Sequence, residues 1–330
     1  MLVLAVETSC DETSVAIVKN GKEVLANVVL SQINIHKKYG GVVPEVASRY
    51  HIREMTLVFE EAFKEAKVSE EEIDLVAVTE GPGLIGALLV GVNAATTFAF
   101  AHQKPLVGVN HLAGHIYAGN IDHELKFPLV ALLVSGGHTE LVYMKNHMDF
   151  EILGETLDDA VGEAYDKVAR MIDLGYPGGP LIDKLAKEGK DVFALTRPYL
   201  DKEDYKFSFS GIKSAVNNII YHKNRLNEPY EKADIAASFQ EAVIDVLIYK
   251  LNLAVKNFDP KQVLVVGGVA ANSRLRERVY ETFNDREIII PKMSYCTDNA
   301  AMIGVAGYYT YKKYGPLKNY ELGGNPNLKL

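Results

Sequence analysis

The chain reads as an α/β protein made of two like-folded lobes with a cleft between them. Two observations predict this: one order of elements occurs twice, and no linker long enough to separate independent domains interrupts it. Composition agrees, because 330 residues with 48% hydrophobic and 24% charged side chains suit a globular protein with room for two cores.

Residues 2–6 and 14–18 are short β-rich runs, and Thr8-Ser9-Cys10-Asp11-Glu12-Thr13 joins them as a hairpin with Asp11 and Glu12 at its tip. Taken alone, such a turn is as well explained by solvated acids, since Asp suits turns. Pro44 opens a helix in which Met55, Val58, Phe59, Ala62, Phe63 and Ala66 share one face that should pack on the sheet. A strand at 73–79, the turn Glu80-Gly81-Pro82-Gly83 and a buried small-residue helix at 85–101 complete the first copy. The order then returns. Apolar runs at 129–134 and 140–144 flank Ser135-Gly136-Gly137-His138-Thr139; a helix at 239–258, a strand at 262–266, the turn Gly267-Gly268 and a helix starting near Ala271-Asn272 follow.

The repeat assigns 1–108 to the first lobe, joined by a closing helix at 300–330, and 109–299 to the second. A stretch rich in Lys, Arg, Tyr and Asn at 189–234 breaks the pattern and reads as a helical insertion containing Phe207-Ser208-Phe209-Ser210-Gly211-Ile212-Lys213. Lys206, Lys213, Lys223 and Arg225, with Arg197 nearby, could present a basic face to RNA, although charged surface helices are commonly no more than solvated.

Several classes are disfavoured. The N-terminal residues form an apolar run without a basic leader or cleavage site, and the longest apolar stretch, 84–102, is broken by Gly86, Gly91, Asn93 and threonines. A cytoplasmic protein without membrane association is therefore expected. The only cysteines, Cys10 and Cys296, do not make a disulfide framework. A net charge of -8 argues against gripping nucleic acid by bulk electrostatics, so an RNA substrate requires a local patch or a partner.

Chemistry centres on His111 and His115. Four residues apart on a helical segment, their imidazoles lie about one turn apart on one face and can share a metal; packing explains the pair alone equally well. Leu112 follows the first histidine where a zincin has its glutamate, so a peptidase centre is disfavoured. Asp298 is the candidate third ligand, with a helix N-cap as its ordinary alternative. His36, His51, His102 and His138 read as packing or surface residues. Three glycine turns, 135–139, 176–180 and 267–272, can offer backbone N–H groups to a phosphate, and Asp166 and Asp183 flank the second, where they can accept from ribose hydroxyls or pair with lysines. Neither a Walker A loop nor a GxGxxG fingerprint is present.

The set Glu7-Thr8-Ser9-Cys10-Asp11-Glu12-Thr13-Ser14, Asn110-His111 through His115, Ser135-Gly136-Gly137-His138-Thr139, Gly175-Tyr176-Pro177-Gly178-Gly179-Pro180, Phe207-Ser208-Phe209-Ser210-Gly211, Gly267-Gly268-Val269-Ala270-Ala271-Asn272 and Cys296-Thr297-Asp298-Asn299 closely resembles the bacterial branch of the tRNA threonylcarbamoyladenosine transferase family, TsaD. The resemblance implies the duplicated actin-like, sugar kinase and Hsp70-type (ASKHA) fold with a nucleotide in the cleft. It implies transfer of threonylcarbamoyl from threonylcarbamoyl-adenylate to the exocyclic amine of the adenosine 3' of the tRNA anticodon, with release of AMP. Carried over, His111, His115 and Asp298 match the ligands of one divalent metal, iron(II) or zinc. Val134, Ser135, Gly136, Gly137, His138, Asp166, Gly179, Asp183 and Asn272 match positions that hold the adenylate. Expected partners are tRNA, a dimerising paralogue (TsaB) and a small ATPase (TsaE). Asp11 or Glu12 is the expected acceptor of the amine proton. Alternatives are an ATPase or phosphotransferase on the same fold, or a noncatalytic nucleotide-binding subunit.

Overall fold

The computed structural model describes residues 1–199 and 203–330. Leu2–Glu7 (β1) and Glu12–Lys19 (β2) pair antiparallel and are almost wholly buried, and Glu23–Ser31 (β3) adds an outer antiparallel strand. The short helix Ile33–His36 (α1) and a 3-10 turn at Lys37–Tyr39 lead to Pro44–Ala66 (α2), which carries proline in its first turn, where an N–H would have no partner. Its Met55, Val58 and Ala62 are buried on the sheet with Phe59, Phe63 and Ala66 half-buried beside them, as the helical spacing requires. Leu75–Gly81 (β4), Ile85–Ala101 (α3), Leu106–Asn110 (β5) and His111–Asp122 (α4) follow. The sheet order is β3-β2-β1-β4-β5, with β4 parallel to β1 and β5 parallel to β4. Helix α3 is buried on one side only, since Ile85, Leu89 and Phe100 are exposed.

The second sheet copies the first. Leu129–Val134 (β6), Thr139–Met144 (β7) and Phe150–Glu155 (β8) form an antiparallel meander. After Val161–Met171 (α5), Gly178–Ala186 (α6), Ser210–Leu226 (α7) and Lys232–Phe258 (α8), the strand Gln262–Val266 (β9) joins β6 in parallel. Ser273–Thr282 (α9) then leads to Glu287–Ile289 (β10), parallel to β9. Read from β8, the order β8-β7-β6-β9-β10 matches β3-β2-β1-β4-β5 strand for strand and direction for direction. The insertion expected at 189–234 contributes α7, its last residues open α8, and residues 200–202 within it lie outside the described residues.

Met293–Cys296 (α10) and Ala300–Tyr314 (α11) finish the chain's regular structure. Its contacts divide into one unit of Met1–Leu125, Asn146–Asp149 and Pro291–Leu330, and a second of Lys126–Lys145 and Phe150–Ile290. These boundaries differ from the sequence assignment at 108/109 and 299/300, because α4 and Asp298 belong with the first unit. Gly114 is the local reason: a Cβ there would lie 2.7 Å from the Ile303 side chain, so its absence lets α4 lie directly on α11. No helix among the described residues is long and apolar enough to cross a membrane.

Candidate functional site

Helix α4 begins where its chemistry begins. Asn110 caps it, accepting from the backbone N–H of Leu112 and Ala113 at 2.8 and 3.3 Å, which fixes the first turn carrying His111. Both histidines are buried and their ring centroids are 4.7 Å apart. At the start of α11 it is Asn299, not Asp298, that caps the helix by accepting from Met302 N at 3.1 Å. The Asp298 carboxylate is thereby left to the histidines, with Oδ1 3.5 Å from His111 Nε2 and 3.2 Å from His115 Nε2.

These spacings fit a metal better than direct pairing. Ligands about 2.0–2.1 Å from a tetrahedral centre lie about 3.3 Å from one another. His115 is fully buried and neither ring nitrogen makes a regular hydrogen bond, Nε2 having only the Asp298 carboxylate beside it. Such a group costs stability unless something fills its lone pair. His111 Nδ1 faces Glu7 Oε2 at 3.1 Å, so donation from Nδ1–H leaves Nε2 as the free donor atom toward Asp298. Burial works against charge on His111, but the Asp298 and Glu7 carboxylates outweigh it and raise its pKa well above the ordinary histidine value. Burial likewise opposes ionisation of Asp298, and the two imidazoles reverse it and hold the acid far below the usual carboxylate range. The cluster thus favours net positive charge between its carboxylates, which a divalent cation supplies.

The acidic turn is in the same unit. Asp11 is buried and Glu12 half-buried. The turn is tied on every side: Gln32 N donates to Asp11 O at 3.0 Å, Leu84 N to Ser9 O at 2.8 Å and Thr8 Oγ1 to Ala87 O at 2.9 Å, while His51 Nε2 lies 3.0 Å from Cys10 O. Burial, then the nearby charges of Asp298 and Asp11, push Glu12 well above the ordinary carboxylate pKa. Burial and the charges of Asp11, Asp298 and Glu12 raise the Cys10 thiol well above its ordinary pKa, which disfavours the thiolate.

In the second unit, Ser135–His138 forms an exposed turn in which Ser135 Oγ accepts from His138 N at 3.1 Å. Gly136 and Gly137 have nothing within 4 Å of where a Cβ would be, nor has Gly179. Gly162 N donates to Ser135 O at 3.1 Å, so α5 is fastened to the turn that follows Val134. Asp166, on α5, accepts from Gly178 N at 2.6 Å, and burial raises its pKa. Asp183 accepts from Ser273 N and Oγ at 3.2 and 2.9 Å. Asn272 caps α9, accepting from Leu275 N at 2.9 Å, and donates to Gln240 Oε1 at 2.7 Å. These three side chains hold the glycine turns in shape, a role that sequence alone does not separate from ligand contact. A cavity of about 430 Å3 lies beside them, lined in part by Gln240, Glu241, Ser273 and Arg274, a volume that suits a small organic ligand.

Two findings were not legible in the motifs. Glu7 ends β1 fully buried, bonded by Ser9 N and Thr79 Oγ1 as well as facing His111; a charged residue closing an apolar strand was the available signal. The basic face of the insertion is neutralised in part: Lys213 pairs with Asp159 and Lys223 with Glu228, each at 2.7 Å, and Arg197 with Asp191 and Asp245 at 2.9 and 3.0 Å.

Comparison with known proteins shows the fold and the family. Among solved structures, the chain is similar to full-length HypF in its phosphate- and nucleotide-bound form, with a TM-score of 0.64 at 15% identity over 96% of this chain and 56% of that one. It is also similar to component A of the Acidaminococcus fermentans (R)-2-hydroxyglutaryl-CoA dehydratase, with a TM-score of 0.57 at 16% identity over 95% of this chain and 98% of that one. These likenesses, with the duplicated sheets, show the actin-like, sugar kinase and Hsp70-type fold. The tRNA N6-adenosine threonylcarbamoyltransferase of Staphylococcus aureus strain JH9 is 56% identical over 332 residues, 100% of this chain and 97% of that protein. The model of the family described as TsaD, tRNA N6-adenosine threonylcarbamoyltransferase, matches residues 23–305, a span that contains both histidines, Asp298 and every glycine turn, and the chain therefore belongs to the TsaD family.

Proposed function

We propose that this protein transfers threonylcarbamoyl from threonylcarbamoyl-adenylate to the exocyclic amine of the adenosine 3' of the tRNA anticodon, releasing AMP. The observation that carries the reading is the buried His111, His115 and Asp298 cluster, whose His115 Nδ1 has no hydrogen-bond partner, set in a chain of this family. In the reaction the amine nitrogen forms a bond to the carbamoyl carbon while the bond from that carbon to the phosphate oxygen breaks. The leaving group departs with the electron pair as AMP, and the amine proton passes to a carboxylate.

The glycine turn after Val134, from Ser135 through Gly136 and Gly137 to His138, presents backbone N–H groups to the phosphate, and Gly179 gives the second open backbone. Asp166, Asp183 and Asn272 keep these turns in register, and the adjacent cavity receives the adenosine. Glu12 takes the proton with Asp11 beside it: burial and the neighbouring acids raise its pKa, which makes it a stronger base than an ordinary carboxylate. His111, His115 and Asp298 would hold one divalent ion, zinc or iron(II), which when bound supplies Lewis-acid stabilisation and a fixed anchor for the acyl group. The target base must leave its stack, which an anticodon loop allows more readily than a duplex.

The protein works in the cytoplasm with a dimerising paralogue (TsaB) and a small ATPase (TsaE). Support for a protein partner lies on α3, where Ile85, Leu89 and Phe100 are 48%, 42% and 69% exposed on one stripe. The test is a transfer assay with purified chain, threonylcarbamoyl-adenylate and unmodified tRNA, with and without partners and chelator. Modified adenosine that disappears with chelator and returns with zinc or iron(II) is expected. ATP hydrolysis or small-molecule phosphorylation without any tRNA product would overturn the reading.

A further inference from the structure

With Arg197, Lys213 and Lys223 of the insertion paired with acids and a net charge of -8, attraction for RNA calls for a further local patch or a partner. One loop has the right chemistry beside the acidic turn. Lys37-Lys38-Tyr39 is a single 3-10 turn whose three side chains are exposed, Tyr39 at 62%. Among the described residues neither lysine has a carboxylate partner, whereas Arg49, on the next helix, is paired with Glu45.

The loop is built, not merely solvated. His36 is fully buried, with Nε2 3.1 Å from Gln32 Oε1 and Nδ1 accepting from Val43 N at 3.2 Å. Gly41 N returns to His36 O at 3.4 Å, and Gly40 takes a φ of 73° that a side chain would resist. Its base is joined to the acidic residues: Gln32 N donates to Asp11 O at 3.0 Å and Ser31 Oγ to Glu12 Oε1 at 3.1 Å. Only the four-residue helix α1 separates Gln32 from Lys37, an advance of about 6 Å along that helix. An RNA whose base reaches Glu12 therefore brings its neighbouring backbone within reach of the lysines. Two ammonium groups and one exposed ring in a preordered loop are the elements that bind single-stranded RNA, cations on phosphates and an aromatic under an unstacked base.

We propose that Lys37, Lys38 and Tyr39 form a docking surface for the anticodon loop, the lysines on phosphates flanking the target adenosine and Tyr39 stacking on a neighbouring base. This rests on the tRNA reading above. The experiment titrates the full chain with unmodified tRNA at a series of salt concentrations, following fluorescence anisotropy, for the parent and four variants. Lys37→Gln/Lys38→Gln should bind about tenfold more weakly at low salt and flatten the log–log salt slope by about 1.4, two phosphate contacts at about 0.7 each. Tyr39→Ala should lose about tenfold with the parent slope kept. Lys37→Arg/Lys38→Arg should keep the parent slope, and Lys67→Gln/Lys256→Gln, an equal charge loss at other exposed positions, should change neither quantity. The proposal is overturned if the first double variant keeps the parent affinity and slope, or if the Lys67/Lys256 control loses as much. A parent chain that neither binds nor modifies tRNA would instead remove the function on which it rests.

Discussion

The two hairpins that open the two sheets have the same topology and opposite chemistry. In the first, six residues, Thr8 to Thr13, separate the last pair Glu7–Ser14; in the second, four residues, Ser135 to His138, separate Val134–Thr139. The longer turn is buried and carries Asp11 and Glu12, each held by bonds from neighbouring elements. The shorter one is exposed and bare, with open space at both glycines. One scaffold thus supplies side-chain carboxylates in one copy and unobstructed backbone in the other. In the proposed reaction that is the difference between moving a proton and cradling an anion.

The largest effect should come from removing the carboxylate function of the first hairpin. Glu12→Gln should lower transfer about 10²–10⁴-fold if Glu12 is the base, with AMP affinity unchanged. In the parent, activity should rise with pH through the raised Glu12 pKa, and the variant should lose that limb. Stability runs the other way. Because the folded pKa lies above the unfolded one, the folded chain holds a proton that the unfolded chain has released, so stability falls as pH rises from the unfolded pKa through the folded one. Glu12→Gln should therefore melt higher than the parent above that window and not below it. A variant with full activity and an unchanged pH profile would move the base to another residue.

Next is Glu7, which ends β1 where the turn begins. Glu7→Gln keeps the shape and removes the charge that orients His111, so metal affinity should fall about 10–100-fold, read by competition with a chelator. Unchanged affinity would mean that His111 is oriented by Ser9, whose Oγ is 3.2 Å from the same nitrogen. In the second hairpin, Gly137→Val places a side chain where the fold has open space. It should leave the melting temperature in place and weaken AMP binding about tenfold, since only a ligand would meet the new methyls.

What could be read from the sequence follows the same division. The apolar strands, the α2 face and the repeat were legible because burial imposes a local period. The outer strands β3 and β8 were not, because edge strands are only half-buried and their pattern is diluted. His111 and His115 were legible as a pair, but the choice of Asn299 over Asp298 as the helix cap, which leaves Asp298 to the histidines, is made by position, and neighbouring polar residues do not reveal it. The pairing of the insertion's lysines was not legible for a different reason. Asp159, which neutralises Lys213, lies 54 residues away, and no local pattern announces such a pairing.

The smallest effect tests whether the hairpins are equivalent in their framework as well as in their topology. Ser14 and Thr139 occupy the same register position, each opposite the last residue of its partner strand. Ser14 Oγ accepts from Ala300 N at the first residue of α11, and Thr139 Oγ1 from Val161 N at the first residue of α5, both at 2.9 Å. In each copy, then, a buried hydroxyl fastens the sheet to a helix N-terminus whose N–H has no partner within the helix. Ser14→Ala and Thr139→Val should each cost about 1–3 kcal/mol, the penalty for a buried N–H left unbonded. Amide exchange should accelerate at Ala300 in the first variant and at Val161 in the second, each without the other. A loss at only one position would show that the repeat conserves strand order but not the contact that fixes the helices carrying Asp166 and following Asp298.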